Sequence, residues 1–266
     1  MSKTIVITGS TDGIGRATAQ ALVSGGHHLV LHGRNPDKLQ ALRDELSATS
    51  GSISTLVCDL SRLADVGAMA QTLAEQHPRI DVLINNAGVF RTSHVETADG
   101  LDVRFVVNTI APYLLTQRLR ARLDASSRVV NLSSAAQAPV DLDALAGPPR
   151  LSDSNAYAQS KLAITAWSGH LARSLGPEGP MIVSVNPGSM LGTKMVKDAY
   201  GVAGADIRIG ADILVRAALD DEFAGASGRY YDNDARRFGP PHPEALDDHK
   251  AAAIVSTIES VLSRTA

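Results

Sequence analysis

Lys3-Thr4-Ile5-Val6-Ile7-Thr8-Gly9-Ser10-Thr11-Asp12-Gly13-Ile14-Gly15-Arg16 is the stretch that decides the fold. Its first half is apolar and β-branched, so Lys3–Thr8 is predicted to be a strand covered on both faces. Apolar residues then recur at helical spacing over Ile14–Ser24. Between them, Gly9, Gly13 and Gly15 make the pattern G-x-x-x-G-x-G. Glycines at a strand-to-helix turn let backbone amides approach an anion, and the helix N-terminus adds free N–H groups and a partial positive charge. The turn formed by Gly9, Ser10, Thr11, Asp12, Gly13, Ile14 and Gly15 is therefore read as a cradle for the pyrophosphate of a dinucleotide. Its spacing differs from the commoner G-x-G-x-x-G, and a glycine turn without a ligand is the bland alternative.

The strand–helix alternation continues outward from this stretch. His28–His32, Ile53–Cys58, Ile80–Ile84, Arg128–Leu132, Met181–Val185 and a short Arg229–Tyr231 are further strand candidates. Helical patterns cover Pro36–Ala48, Leu63–Gln76, Gly100–Leu123, Ala156–Leu175, Ile207–Leu219 and Pro243–Ser263. Regular alternation of this kind predicts an α/β fold: one domain over residues 1–266, with a doubly wound parallel sheet and helices on both faces. Residues 135–155 and 188–204 read as long loops, rich in Gly, Pro, Ser and Asp, and are expected to shape a substrate pocket. Residues 232–266 form a C-terminal extension.

Composition narrows the function. The 266 residues are 44% hydrophobic and 20% charged with a net charge of −3, and no block of like charge suggests a nucleic-acid face. The lone cysteine, Cys58, rules out an intrachain disulfide and reads as a buried thiol. The eight histidines show no metal-ligand spacing, so no metal is expected. Neither a leader nor an apolar run long enough to span a membrane is visible, and a cytoplasmic location is expected.

Open α/β sheets bind ligands outside the carboxyl ends of their strands. After the second strand the chain reads His32-Gly33-Arg34-Asn35. An acidic residue there would bond a ribose hydroxyl and repel a phosphate, whereas Arg34, with Asn35 beside it, offers a fork to a 2′-phosphate. NADP(H) is therefore preferred, with NAD(H) still open, and Arg16 is placed to assist. A plain surface arginine is the alternative. Asp59, followed by Leu60, ends the third strand and reads equally as an adenine acceptor or as part of a helix cap. Asn85-Asn86-Ala87-Gly88 follows the fourth strand, so four candidate sites converge on one sheet edge.

Tyr157 and Lys161 lie four apart on a predicted helix and share a face. A phenol of pKa about 10 is a weak base, and a nearby ammonium lowers that value. Ser133-Ser134 follows the fifth strand, where a hydroxyl can hold a substrate oxygen or simply make a turn.

Taken in order, Thr8–Gly15, Asp59, Asn85–Gly88, Asn108, Ser134, Tyr157/Lys161 and Asn186-Pro187-Gly188 resemble the short-chain dehydrogenase/reductase family over residues 3–231. The resemblance implies a Rossmann-type sheet of seven strands and hydride transfer between NADP(H) and a carbonyl or alcohol. It implies that Tyr157 is the acid–base, that Lys161 lowers its pKa and binds ribose, that Ser134 orients substrate, and that Asn108 supports a proton-relay water. It also implies that Asn86, Ala87, Gly88, Pro187, Gly188 and Thr193 line the cofactor, with Thr193 one position later than in most members. The long segment between Ser134 and Tyr157, together with Gly33-Arg34-Asn35, is similar to retinol-dehydrogenase-like members and implies a lipophilic small-molecule substrate. A homodimer or homotetramer, paired through the helices bearing Asn108 and Tyr157, is the family expectation. The rival reading is a non-catalytic NAD(P)-sensing regulator on the same fold.

Overall fold

The computed structural model describes residues 2–47, 49 and 51–265. Its sheet has the strand order β3-β2-β1-β4-β5-β6-β7-β8. The strands are β1 (Thr4–Ile7), β2 (His28–Gly33), β3 (Ser52–Val57), β4 (Val82–Asn85), β5 (Arg128–Leu132), β6 (Met181–Asn186), β7 (Tyr230–Asp232) and β8 (Arg237–Gly239). All neighbours are parallel except β7 and β8, which form an antiparallel hairpin. The sheet thus has one strand more than expected, because the turn after Asp232 folds the chain straight back.

Alternate strand residues feed two cores. Ile5, Ile7, Leu29 and Leu31 pack under α1 (Gly13–Val23), α2 (Pro36–Leu46) and α9 (Arg208–Leu219). Val6, Val30, Leu83 and Val129 face the opposite core, under α3 (Leu63–Gln76), α5 (Ala111–Arg118) and α7 (Asp153–Leu175). Burial on both faces explains why the strands read as unbroken apolar runs. The order of strands reverses between β1 and β4, the point at whose carboxyl edge open α/β sheets bind their ligands.

Several predicted boundaries move. Helix α2 ends at Leu46, and Ala48 lies outside the described residues. The helix expected over Gly100–Leu123 is instead α4 (Val103–Phe105), a π turn over Val106–Ile110, α5, and a 3-10 turn over Arg120–Arg122. Pro112 supplies the reason, since it has no N–H to give the carbonyl of Asn108 four residues earlier. The Ala111 N–H reaches back five residues to the Val106 carbonyl. Both long loops contain helix: α6 (Leu142–Leu145) lies in the first and α8 (Lys194–Tyr200) in the second. Ala144 and Leu145 are buried, so the outer part of the first loop is packed into the core.

The last helix, α10 (Asp248–Thr265), lies against α7, α6 and α3 and buries Ala251, Ile254, Ile258 and Val261. Its Glu259 accepts from the Tyr113 hydroxyl of α5 at 2.8 Å. Helix α7 is buried without interruption from Gln159 to Gly169, as are residues 101–116 around Asn108.

Candidate active site

The glycine turn is built by packing as much as by openness. A Cβ at Gly15 would meet the Gly9 carbonyl oxygen at 2.3 Å and Asn86 Nδ2 at 2.4 Å, so only glycine fits there. Asn86 Nδ2 donates to the carbonyls of Thr8 and Gly9 at 2.9 and 3.0 Å, and Thr8 Oγ1 accepts from the Asn86 and Ala87 amides. Asn86 thus braces the turn from β4. Gly13 differs: its φ is +56°, and a Cβ there would meet Thr193 Cγ2 at 3.6 Å, an ordinary contact. Asp12 caps α1 by accepting from the Gly13 N–H at 2.7 Å. The first-turn amides of α1 that no helical carbonyl can satisfy stand at the carboxyl edge of the sheet, just after β1. The cradle fits an anionic pyrophosphate.

His32, which the sequence reading passed over, lies buried beneath this turn. Its Nδ1 accepts from the Gly9 N–H at 3.1 Å, so Nε2 carries the proton and donates to the Cys58 carbonyl at 3.0 Å. Burial holds its pKa below the ordinary value, which keeps that arrangement neutral. One imidazole therefore ties the turn after β1 to the end of β3.

Arg34 is exposed at the end of β2. Asn35 is the N-cap of α2, accepting from the Lys38 N–H at 2.9 Å. Arg16 is paired with Glu45 of α2 at 2.6 Å. Asp59 Oδ1 accepts from Ser61 N and Oγ at 3.0 and 2.8 Å, forming an Asx turn before α3, and Leu60 is buried. Thr193 caps α8 by accepting from the Val196 N–H.

The chemical residues gather at the next strand ends. The Ser134 hydroxyl lies beside that of Tyr157, and it accepts from the Ala136 N–H at 3.1 Å. Ser133 turns the other way, to Thr165 Oγ1 at 2.6 Å. Lys161 Nζ donates to the Leu132 carbonyl at 2.6 Å and lies 5.6 Å from the centre of the Tyr157 ring. A Cβ at Gly88 would sit 3.6 Å from that ammonium, so the glycine leaves the Lys161 side open. Burial pushes the Lys161 pKa down to about 8. Burial also raises the Tyr157 pKa, outweighing the Ser134 hydrogen bond, so in the chain alone the phenol is protonated at neutral pH. The lowering expected from the lysine is not what prevails in this arrangement.

Asn108 sits in the π turn with its side chain fully used. It accepts from the Val89 N–H at 2.8 Å and donates to the Val89 carbonyl at 2.9 Å and to Ser160 Oγ at 3.0 Å. Its backbone carbonyl is the group denied a helical donor by Pro112.

Other supports came only with the structure. Buried Arg104 bonds Asp102 and Asp153, the first residue of α7, and so fixes the helix one turn ahead of Tyr157. Tyr230 and Gln137 both donate to the Ser134 carbonyl, at 3.1 and 2.9 Å. The Phe90 ring lies 5.0 Å from that of Tyr157 and 6.1 Å from that of Tyr200 on α8, forming an apolar wall. Arg91 beside it donates to the Ala199 carbonyl at 2.9 Å.

Comparison with known proteins agrees with this geometry. The family described as short chain dehydrogenase matches residues 3–201. Human retinol dehydrogenase 13 is 31% identical over 94% of this chain and 81% of its own length. A Streptomyces protein provisionally assigned as the daunorubicin C-13 ketoreductase DnrU is 34% identical over 99% and 94%. Among solved structures, an uncharacterized protein of Mycobacterium Paratuberculosis aligns with TM-score 0.79 and 28% identity over 97% of this chain and 92% of its own. A metagenomic short-chain oxidoreductase in complex with NADP aligns with TM-score 0.62 and 28% identity over 81% and 90%. No helix among the described residues is long and apolar enough to cross a membrane. The chain belongs to the short-chain dehydrogenase/reductase family and is an oxidoreductase acting on CH–OH groups.

Proposed function

We propose that the protein is an NADP(H)-dependent reductase of lipophilic carbonyl compounds, working reversibly on the matching alcohols, with Tyr157 as acid–base. The observation that carries this reading is the Ser134–Tyr157 hydroxyl pair beside the buried Lys161 ammonium, at the sheet edge shared with the glycine turn. The residues that would hold the dinucleotide are the turn from Gly9 to Gly15, Arg34 with Asn35, Asp59 and Leu60, Ala87 and Gly88 braced by Asn86, Lys161, and Pro187, Gly188 and Thr193. A bound NADP(H) supplies or accepts the hydride.

The protein's share of the reaction is position and proton. Ser134 and Tyr157 donate hydrogen bonds to the substrate oxygen, stabilising the negative charge that develops there. Tyr157 gives its proton to that oxygen on reduction and takes it back on oxidation. Lys161 is three donors on a buried stem: one goes to the Leu132 carbonyl, and the others are available to a ribose and to the path that reprotonates the phenol. The Asn108 carbonyl, without its helical donor, is the natural acceptor for a relay water. Phe90 and Tyr200 supply apolar surface at the mouth, which suits a lipophilic substrate.

The test is a panel of hydrophobic aldehydes and ketones with NADPH and with NADH, followed by loss of reduced-cofactor absorbance. Turnover with NADPH is the expected result. Tight NADPH binding without turnover on any carbonyl would favour the sensing regulator instead.

A further inference from the structure

We infer that Asp234, in the β7–β8 turn, is a positioning residue that holds the roots of the substrate loop and so sets the nicotinamide half of the site. This rests on the reading of the cofactor site given above. The substrate loop leaves the sheet at the end of β6 and returns at the start of α9. Asp234 Oδ1 accepts from the Ser189 N–H at 2.8 Å, and its Oδ2 accepts from Ser189 Oγ at 2.6 Å and Asn186 Nδ2 at 2.9 Å. Asn233 donates to the Pro187 carbonyl at 2.9 Å and to the Ile209 carbonyl at 3.2 Å. Two consecutive side chains therefore hold the loop where it departs and where it comes back.

Two observations make this staple more than turn chemistry. The loop is closed again just beyond its roots by a two-residue bridge, with the Gly192 N–H on the Ala205 carbonyl and the Ala205 N–H on the Met190 carbonyl, both at 2.7 Å. Between staple and bridge, Gly188 has φ +119° and Met190 has φ +53°, a conformation costly for a side-chain-bearing residue. Strained backbone persists only where its surroundings hold it, and the Asp234 carboxylate bonds the residue between these two. The segment it holds, Pro187–Ser189, runs on to Thr193, whose methyl lies against Gly13 of the glycine turn. Asp234 is itself exposed, so its replacement leaves the cores intact.

The experiment compares wild type with Asp234→Ala and Asp234→Asn in two arms. Without any cofactor, hydrogen exchange of the amides over 188–192 and 205–209 should speed up in Asp234→Ala, led by Ser189, with an unchanged melting temperature. In the second arm, affinity for NADPH and for 2′-phospho-ADP-ribose, which lacks the nicotinamide, is measured alongside kcat. Asp234→Ala should lose roughly ten-fold or more in kcat and several-fold in NADPH affinity, while the fragment binds as before. Asp234→Asn, keeping one acceptor oxygen, should fall between. Unchanged exchange over these amides overturns the inference, as does equal loss of affinity for NADPH and the fragment. Faster exchange in a chain whose wild type binds no NADPH would instead break the cofactor reading and leave the loop staple standing.

Discussion

The two halves of the sheet's carboxyl edge solve the same problem by different means. Around β1, β2 and β3, each functional position follows its strand within a few residues, and backbone geometry does most of the holding. The Asn35 cap and the Asp59 Asx turn are local, and the glycine turn is a local turn that Asn86 and His32 brace from the neighbouring strands. Around β5, β6 and β7, the functional groups are fixed by partners far away in the chain. Arg104 anchors α7, Tyr230 holds Ser134, and Asp234 holds Ser189. Local construction suits a ligand that presents the same phosphates each time. Long-range construction allows the reacting half to vary through its loops while the chemistry stays put.

If this division holds, substitutions in the second half should cost turnover and those in the first should cost cofactor choice. The largest expected effect is Tyr157→Phe, which should lower kcat about 10² to 10⁴-fold with NADPH affinity retained, as fluorescence titration would report. Turnover within a few-fold of wild type would remove the acid–base from this half altogether. Next, Arg34→Ala should weaken NADPH about 10 to 100-fold and leave NADH nearly unchanged, because a charge-assisted fork to a phosphate is lost. Equal loss for both cofactors would mean that Arg34 reads no phosphate.

Lys161 tests whether the second half gives up stability for chemistry. Its pKa falls from 10.5 to about 8 on folding, so below pH 8 the full cost of the buried charge is present. Between these values the folded chain sheds the proton while the unfolded chain keeps it, and the cost fades. Lys161→Met should therefore inactivate the protein yet stabilise it by about 1 to 3 kcal/mol at pH 7. Its advantage in denaturant melts should shrink as pH rises from 8 towards 10.5. A variant less stable than wild type at pH 7 would show the Leu132 hydrogen bond to outweigh the burial. The smallest effect belongs to Asn35→Ala, which should cost about 1 kcal/mol of stability as a lost cap. A specific loss of NADPH affinity would make Asn35 a ligand as well.

The same division decided what could be read in advance. The alternation, the glycine turn and the convergence of sites on one edge were legible because each depends on neighbours in sequence. Ser134, Tyr157 and Lys161 were legible through their order along the chain. The supports behind them were not, since nothing local to Arg104 points to Asp153, and nothing local to Asp234 points to Ser189. Pro112 is the exception: a proline inside a helical pattern is a visible signal, and it marks the π turn that divides the helix expected over Gly100–Leu123. The eighth strand escaped because Arg237–Gly239 is three residues long with no alternation to mark it.

Helix α10 has a consequence for how the protein is made. The apolar flank of α7 is covered by Ala251, Ile254, Ile258 and Val261, which leave the ribosome after everything they cover. Until they arrive, the helix carrying Tyr157 has an apolar side open to solvent or a chaperone. Synthesis therefore passes through an interval in which the sheet can form while that flank of α7 is still uncovered.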